Sequence, residues 1–155
     1  MRRQNLDYLS ERLRQVPGIT PPITRPHVTR GGFYGYKPVY EQDVLGGLPI
    51  NLYIKALRAE GVRVKRPDSR PLHLLPLFQA GSDRLYHHSC PWECPHSKRN
   101  VTYKPGDLPI AERVFEKLLS LPTFTDPAKE LIDQYVVAFE KVAAHAEEIL
   151  ARIDD

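Results

Sequence analysis

The sequence predicts an α/β domain of the α+β kind, in which a short sheet is packed by amphipathic helices and a long helix closes the C-terminal end. Three observations predict it. Apolar residues recur at helical spacing near both ends of the chain. A strand, helix, strand pattern runs from Phe33 to Arg66. The prolines crowd into Pro17–Pro38 and Pro67–Pro109, where fixed φ and missing N–H groups favour extended segments and turns.

Leu6, Leu9, Leu13 and Val16 make one helical stripe, with Asp7, Glu11, Arg12 and Arg14 between them. Asn5 is the expected N-cap, and Pro17-Gly18 stops the helix. A stripe this narrow should pack on one neighbour. Ile19 to Arg30 is a Pro- and Thr-rich connection, and Phe33 to Tyr40 reads as an aromatic strand that Pro38 pushes towards an edge or a bulge. Gly46-Gly47 marks a turn. Pro49 opens a second helix carrying Ile50, Tyr53, Ile54 and Leu57, and Gly61 follows its cap. Val62-Arg63-Val64-Lys65-Arg66 alternates apolar and basic residues, as a half-buried strand does.

Residues 67–106 are the least regular part, with Leu72, Leu74, Leu75, Leu77 and Phe78 as a short apolar cluster. Helix resumes at Asp107-Leu108-Pro109, with Ile110, Val114, Leu118 and Leu121 on one face and Pro122 ending it. Asp126 and Pro127 are the expected N-cap and first residue of the longest helix, about Pro127 to Ile153. Its stripe is Ile132, Tyr135, Val136, Phe139, Val142, Ala146, Ile149 and Ile153. So long a stripe exceeds what a domain of this size buries, which implies docking on something outside the chain. The whole of 1–155 reads as one domain.

A hydrophobic fraction of 41% and a charged fraction of 26% belong to an ordinary soluble globular protein. No apolar run approaches the roughly 18 residues of a membrane span. Met1-Arg2-Arg3-Gln4-Asn5 leads into an amphipathic stretch rather than a secretory core, so the expected address is the cytoplasm. A net charge of +3, with both signs interspersed, forms no basic stripe, and neither nucleic acid nor membrane is an expected partner.

His87, His88, Cys90, Cys94 and His96 place five metal-ligand side chains within ten residues. Thiolate and imidazole are the donors zinc prefers, and Cys90, Cys94 and His96 are the candidate set. Structural zinc sites draw on two separated pairs, however, and only the lone His145 follows. Pro91 and Pro95 also stiffen the tract. A metal site and a Pro-rigid loop with two free thiols are both open on residue types alone.

Five phrases, in order, resemble the C-terminal part of the DegT/DnrJ/EryC1/StrS family, sugar aminotransferases of fold type I. They are Arg2-Arg3-Gln4-Asn5 with Val16-Pro17-Gly18-Ile19, Phe33-Tyr34-Gly35-Tyr36, Ala56-Leu57-Arg58-Ala59-Glu60-Gly61-Val62, Pro71-Leu72-His73 to Phe78, and Leu108-Pro109-Ile110-Ala111-Glu112 with Leu119-Ser120-Leu121-Pro122. The resemblance implies the small C-terminal domain of a pyridoxal-phosphate enzyme that transaminates a keto-sugar or keto-cyclitol from an amino-acid donor. It also implies a cysteine-proline loop near Cys90, which favours the reading without metal.

In such enzymes the coenzyme's lysine lies on the large domain, before the part resembled here. Lys37, Lys55, Lys65, Lys98, Lys104, Lys117, Lys129 and Lys141 fall in no such motif, and no Gly-rich phosphate loop is present. The expectation is therefore no catalytic or coenzyme-binding residue on this chain and no transamination by the chain alone. Its partner would be a separate large-domain subunit, or further copies in an oligomer. By resemblance His73 is the first candidate substrate contact, beside the plainer reading of a histidine hydrogen-bonded in a turn. Tyr34 and Tyr36 could line the same side, or be buried strand aromatics. Asp68-Ser69-Arg70 and Leu48-Pro49-Ile50 depart from the family's pattern and leave the substrate open. Outside enzymes, the competing readings are a non-catalytic binding or regulatory module and a small zinc protein.

Overall fold

The computed structural model describes residues 1–79, 102–126 and 128–152. Main-chain contacts gather into two compact units, one of Met1–Pro67 with Lys117–Asp155 and one of Asp68–Glu116.

The first unit combines a small antiparallel sheet with four α-helices among the described residues. β1 (Ile19–Thr20) pairs with β2 (Val39–Tyr40), Ile19 opposite Tyr40 and Thr20 opposite Val39. Single antiparallel bridges then add two more extended segments, through Val39 with Leu118, Tyr36 with Leu121 and Lys65 with Ser120. The main chain stitches them together. Leu119 donates to the Pro38 carbonyl at 3.0 Å and Leu121 to that of Tyr36 at 3.0 Å, while Ser120 and Lys65 exchange bonds of 2.8 and 3.1 Å.

Prolines explain why so little of this array is regular strand. Pro38 accepts from Leu119 but has no N–H to donate, so the expected strand over Phe33–Tyr40 shrinks to Val39–Tyr40 and one bridge at Tyr36. Across the other seam, the register would next set Arg63 opposite Pro122. Pro122 cannot donate either, and the Arg63 amide turns to the Tyr135 hydroxyl at 3.1 Å. The alternating burial expected of Val62–Arg66 is present, with Val62 and Val64 buried and Arg63 and Lys65 exposed, but its pairing stops at one residue. Ile19–Arg30, expected as pure connection, contributes β1.

α1 (Arg2–Leu13) starts before the expected cap, and Asn5 lies inside it. The Asn5 amide reaches instead across the unit to the carbonyls of Phe124 at 2.8 Å and Asp126 at 2.6 Å. α2 (Ile50–Ala59) follows Pro49 as expected and ends in a Schellman turn: Gly61, at φ +88°, donates to Arg58 and Val62 donates to Leu57.

The single long helix expected from about Pro127 to Ile153 is two helices, α5 (Lys129–Ala144) and α6 (Ala146–Ala151), broken at His145. Asp126 does not cap α5; Ala128 holds that position. Pro127 and Ile153 lie outside the described residues. α1 and α2 both pack on α5, where Leu6, Leu9, Leu13, Tyr53, Leu57, Ile132, Val136 and Phe139 are buried. Each such side chain stabilises the unit by about 1.5–3 kcal/mol on area alone. The stripe of α5, expected to dock outside the chain, is thus consumed within it, and that of α1 finds its neighbour in α5.

The second unit holds a 3₁₀ turn at Leu72–Leu74, the single helical turn α3 (Pro76–Gln79), and most of α4 (Pro109–Lys117). α4 was expected to run to Pro122 but stops at Lys117, because Leu118–Leu121 is drawn into the sheet. Its expected buried face is open, with Ile110 69% and Val114 42% exposed. Among the described residues, no helix is long and apolar enough to cross a membrane.

Candidate functional site

His73 sits in the Leu72–Leu74 turn, which Pro71 introduces and Pro76 follows, and it is only 4% exposed. Its Nε2 lies 2.8 Å from Glu112 Oε1, on the first turn of α4. Both Glu112 oxygens also accept from the Gly106 amide, at 2.9 and 3.1 Å. Gly106 makes this possible by adopting φ +94°, which places its N–H under the helix start. The hydrogen bond from His73 holds the Glu112 carboxyl below the usual carboxylate range. Burial opposes that effect and the amides of Gly106 and Leu108 add to it. The turn is fastened a second time, since the Gln79 amide donates to the carbonyls of both His73 and Tyr103. Phe78 meets the Tyr103 ring edge to face at 6.3 Å. Sequence reasoning singled out His73 and named Glu112 only within a family-like phrase; nothing in the spacing could show that two residues 39 apart share a contact.

Tyr34 and Tyr36 diverge, although residues two apart on a regular strand would share a face, because Tyr34 lies in a bend and pairing begins only at the single bridge of Tyr36. Tyr34 stands free of the surface at 101% exposure, while Tyr36 is fully buried. The Tyr36 hydroxyl shares a 2.8 Å hydrogen bond with Ser10 Oγ, and burial pushes it up to about 12. The structure does not bring this pair to one surface.

The sequence missed a pair of adjoining grooves in the first unit. One, of about 540 Å³, lies between Gly61–Lys65 and Ser120–Pro122, where the ladder fails at Pro122. The other follows Pro122–Asp126 towards Tyr135 and shares Gly61, Arg63 and Pro122 with the first. Phe124 lines the second groove at φ +38°, a left-handed conformation that Asn5 and the Tyr135 ring hold in place. The doubled proline interruption, Pro38 and Pro122, was the signal available in the sequence.

The described residues do not fit pyridoxal phosphate. A Schiff-base lysine has to be desolvated or beside a cationic neighbour to act as an amine. Here Lys117 is ion-paired with Glu41, Lys141 with Glu60 at 2.8 Å, and Lys129 lies over the Tyr8 ring. Lys37, Lys55, Lys65 and Lys104 are exposed. No described lysine is buried beside an acid and a phosphate cradle. Cys90, Cys94, His96 and Lys98 lie outside the described residues. Among the described residues no group of three metal-ligand side chains occurs.

In fold the chain is like part of an aminotransferase, and it takes the share of such an enzyme that a C-terminal small domain would. It superposes on the crystal structure of DesI in the presence of its TDP-sugar product with a TM-score of 0.65 and 23% identity, covering 99% of this chain and 33% of that one. On a DegT DnrJ EryC1 StrS aminotransferase from Brucella abortus the TM-score is 0.56 at 20% identity, over 92% of this chain and 30% of the other. In sequence it is 29% identical over 149 residues to the L-glutamine:scyllo-inosose aminotransferase of Streptomyces griseus, covering 96% of this chain and 34% of that protein. No protein-family model matches. The chain therefore spans about a third of the length of the proteins it matches. Its resemblance to the small C-terminal domain of the DegT/DnrJ/EryC1/StrS sugar aminotransferases holds in both sequence and fold.

Proposed function

We propose that this chain is the small-domain part of a sugar or cyclitol aminotransferase, and that it transaminates only together with a coenzyme-bearing large domain. The observation that carries the reading is the alignment over 149 residues with one third of a scyllo-inosose aminotransferase. That relative points to a keto-cyclitol as acceptor and glutamine as amino donor. The lack of fit between the described lysines and the coenzyme supports placing pyridoxal phosphate on the portion this chain does not span. When bound there, the coenzyme supplies the electron sink for amino transfer. The small domain supplies contacts to the keto ring, for which His73 is the first candidate.

The test is a reconstitution. The chain alone, with pyridoxal phosphate, glutamine and scyllo-inosose, is expected to form no amino-cyclitol and to stay colourless. Joined with its coenzyme-bearing portion, it is expected to turn yellow and transfer the amino group. Turnover by the chain alone would overturn the division of labour. No transfer from the joined form with any keto-sugar or keto-cyclitol would overturn the function.

A further inference from the structure

Glu112 and His73 together constrain where one hydrogen must be. A carboxylate held below its usual range is ionised at neutral pH and can only accept. It lies 2.8 Å from Nε2, so that nitrogen carries a hydrogen and donates it. In the neutral ring the other nitrogen, Nδ1, is then a bare acceptor. No described residue hydrogen-bonds it, although the residue is 4% exposed.

The clamp is stiff. Gly106 donates to both Glu112 oxygens, so the carboxylate cannot swing away from the ring without giving up that amide. Gln79 ties the His73 carbonyl to that of Tyr103, which fixes the backbone from which the imidazole projects.

We propose that Glu112 is the positioning residue of His73: it fixes the hydrogen on Nε2 and thereby presents Nδ1 as the acceptor for a hydroxyl of the polyhydroxylated keto ring. The ligand half of this rests on the function proposed above; the positioning half does not. Glu112 acts through His73 and does not itself touch substrate.

Long-range proton–nitrogen NMR of the full chain, with labelled histidine, reads the ring directly. The expected spectrum shows a His73 ring with Nε2 protonated and Nδ1 bare. Glu112→Gln keeps a side-chain oxygen for Nε2 and should preserve that pattern. Glu112→Ala should give a mixture of tautomers. A hydrogen on Nδ1 in the native chain, or an Ala variant with an unchanged ring, would overturn the positioning role.

The ligand half is read in the joined transaminase with scyllo-inosose. His73→Asn keeps a polar atom near the place of Nδ1, and its KM should stay within about threefold of the native value. His73→Gln keeps one near Nε2 instead and should raise KM at least about tenfold with kcat within about twofold, the size of one lost hydrogen bond. Equal KM values for the two variants would overturn the ligand assignment. If the joined form transfers no amino group at all, the proposed function fails, while the ring spectra still decide the role of Glu112.

Discussion

Tyr53 is a buried tyrosine whose hydroxyl has no hydrogen-bond partner among the described residues. Its ring is well placed, stacked on Tyr40 at 4.3 Å and set edge-on to Phe139 at 6.1 Å. The oxygen is a pure cost. Burial raises its pKa, as expected for a hydroxyl that has lost water and gained nothing. Leaving such a group unsatisfied costs about 1–3 kcal/mol, whereas removing one oxygen from a packed ring leaves a void smaller than a methyl group. Tyr53→Phe should therefore stabilise the protein by about 1 kcal/mol, which for a chain of this length is a rise of about 2–4 °C in Tm. Tyr40→Phe is the control from the same ring pair. Its hydroxyl donates to the Leu48 carbonyl at 2.7 Å, so its removal orphans that acceptor and should cost about 1–2 kcal/mol. Urea unfolding followed by circular dichroism, at constant slope, measures both changes. A Tyr53→Phe variant less stable than the native chain by 1 kcal/mol or more would refute the reasoning, since it would mean the hydroxyl is bonded.

Asn5→Ala removes two hydrogen bonds that pin Phe124 in its left-handed conformation, and the urea midpoint should fall by an amount worth about 1–3 kcal/mol. The tyrosines predict an alkaline limit. Tyr36 is pushed up to about 12 by burial, and Tyr40 and Tyr53 move the same way. A folded value above the unfolded one, near about 10, means stability is whole below that pH and is lost as pH rises through the folded value; Tyr36 accounts for about 2–3 kcal/mol of it. Unfolding midpoints at pH 9 and 11.5 check this, and Tyr36→Phe should flatten the fall. Glu112 gives the opposite slope. Its folded value is depressed, chiefly by His73, so its contribution is present above about pH 4.3 and lost as pH falls through the lower folded value. Faster hydrogen exchange at the Gly106 amide below that pH, absent from Glu112→Gln, is the expected sign.

Local chemistry in the sequence was enough to find the helices and to type the fold. The periodicity of Leu6, Leu9 and Leu13 and of Ile132 to Val142 marks the buried faces of α1 and α5, and Gly61 after α2 is the left-handed residue a Schellman turn requires. Each of these depends on neighbours within a few residues. The family likeness was legible for the same reason, because its phrases are short and lie in order along the chain.

What the sequence could not settle was decided by partners far along the chain. Leu118–Leu121 has a helical pattern, yet pairing with Tyr36–Val39 and Lys65 ends α4 at Lys117, because a ladder of backbone hydrogen bonds outweighs a weak local preference. Asn5 looks like a cap and is a strut to Phe124, 119 residues away. The α5 stripe seemed too long for so small a chain, but α1 and α2 both lie on it and its tail breaks at His145. His73 was named from one motif and Glu112 from another. Only the tertiary structure brings them to 2.8 Å, since a hydrogen bond depends on distance in space and leaves no periodic trace in the order of residues.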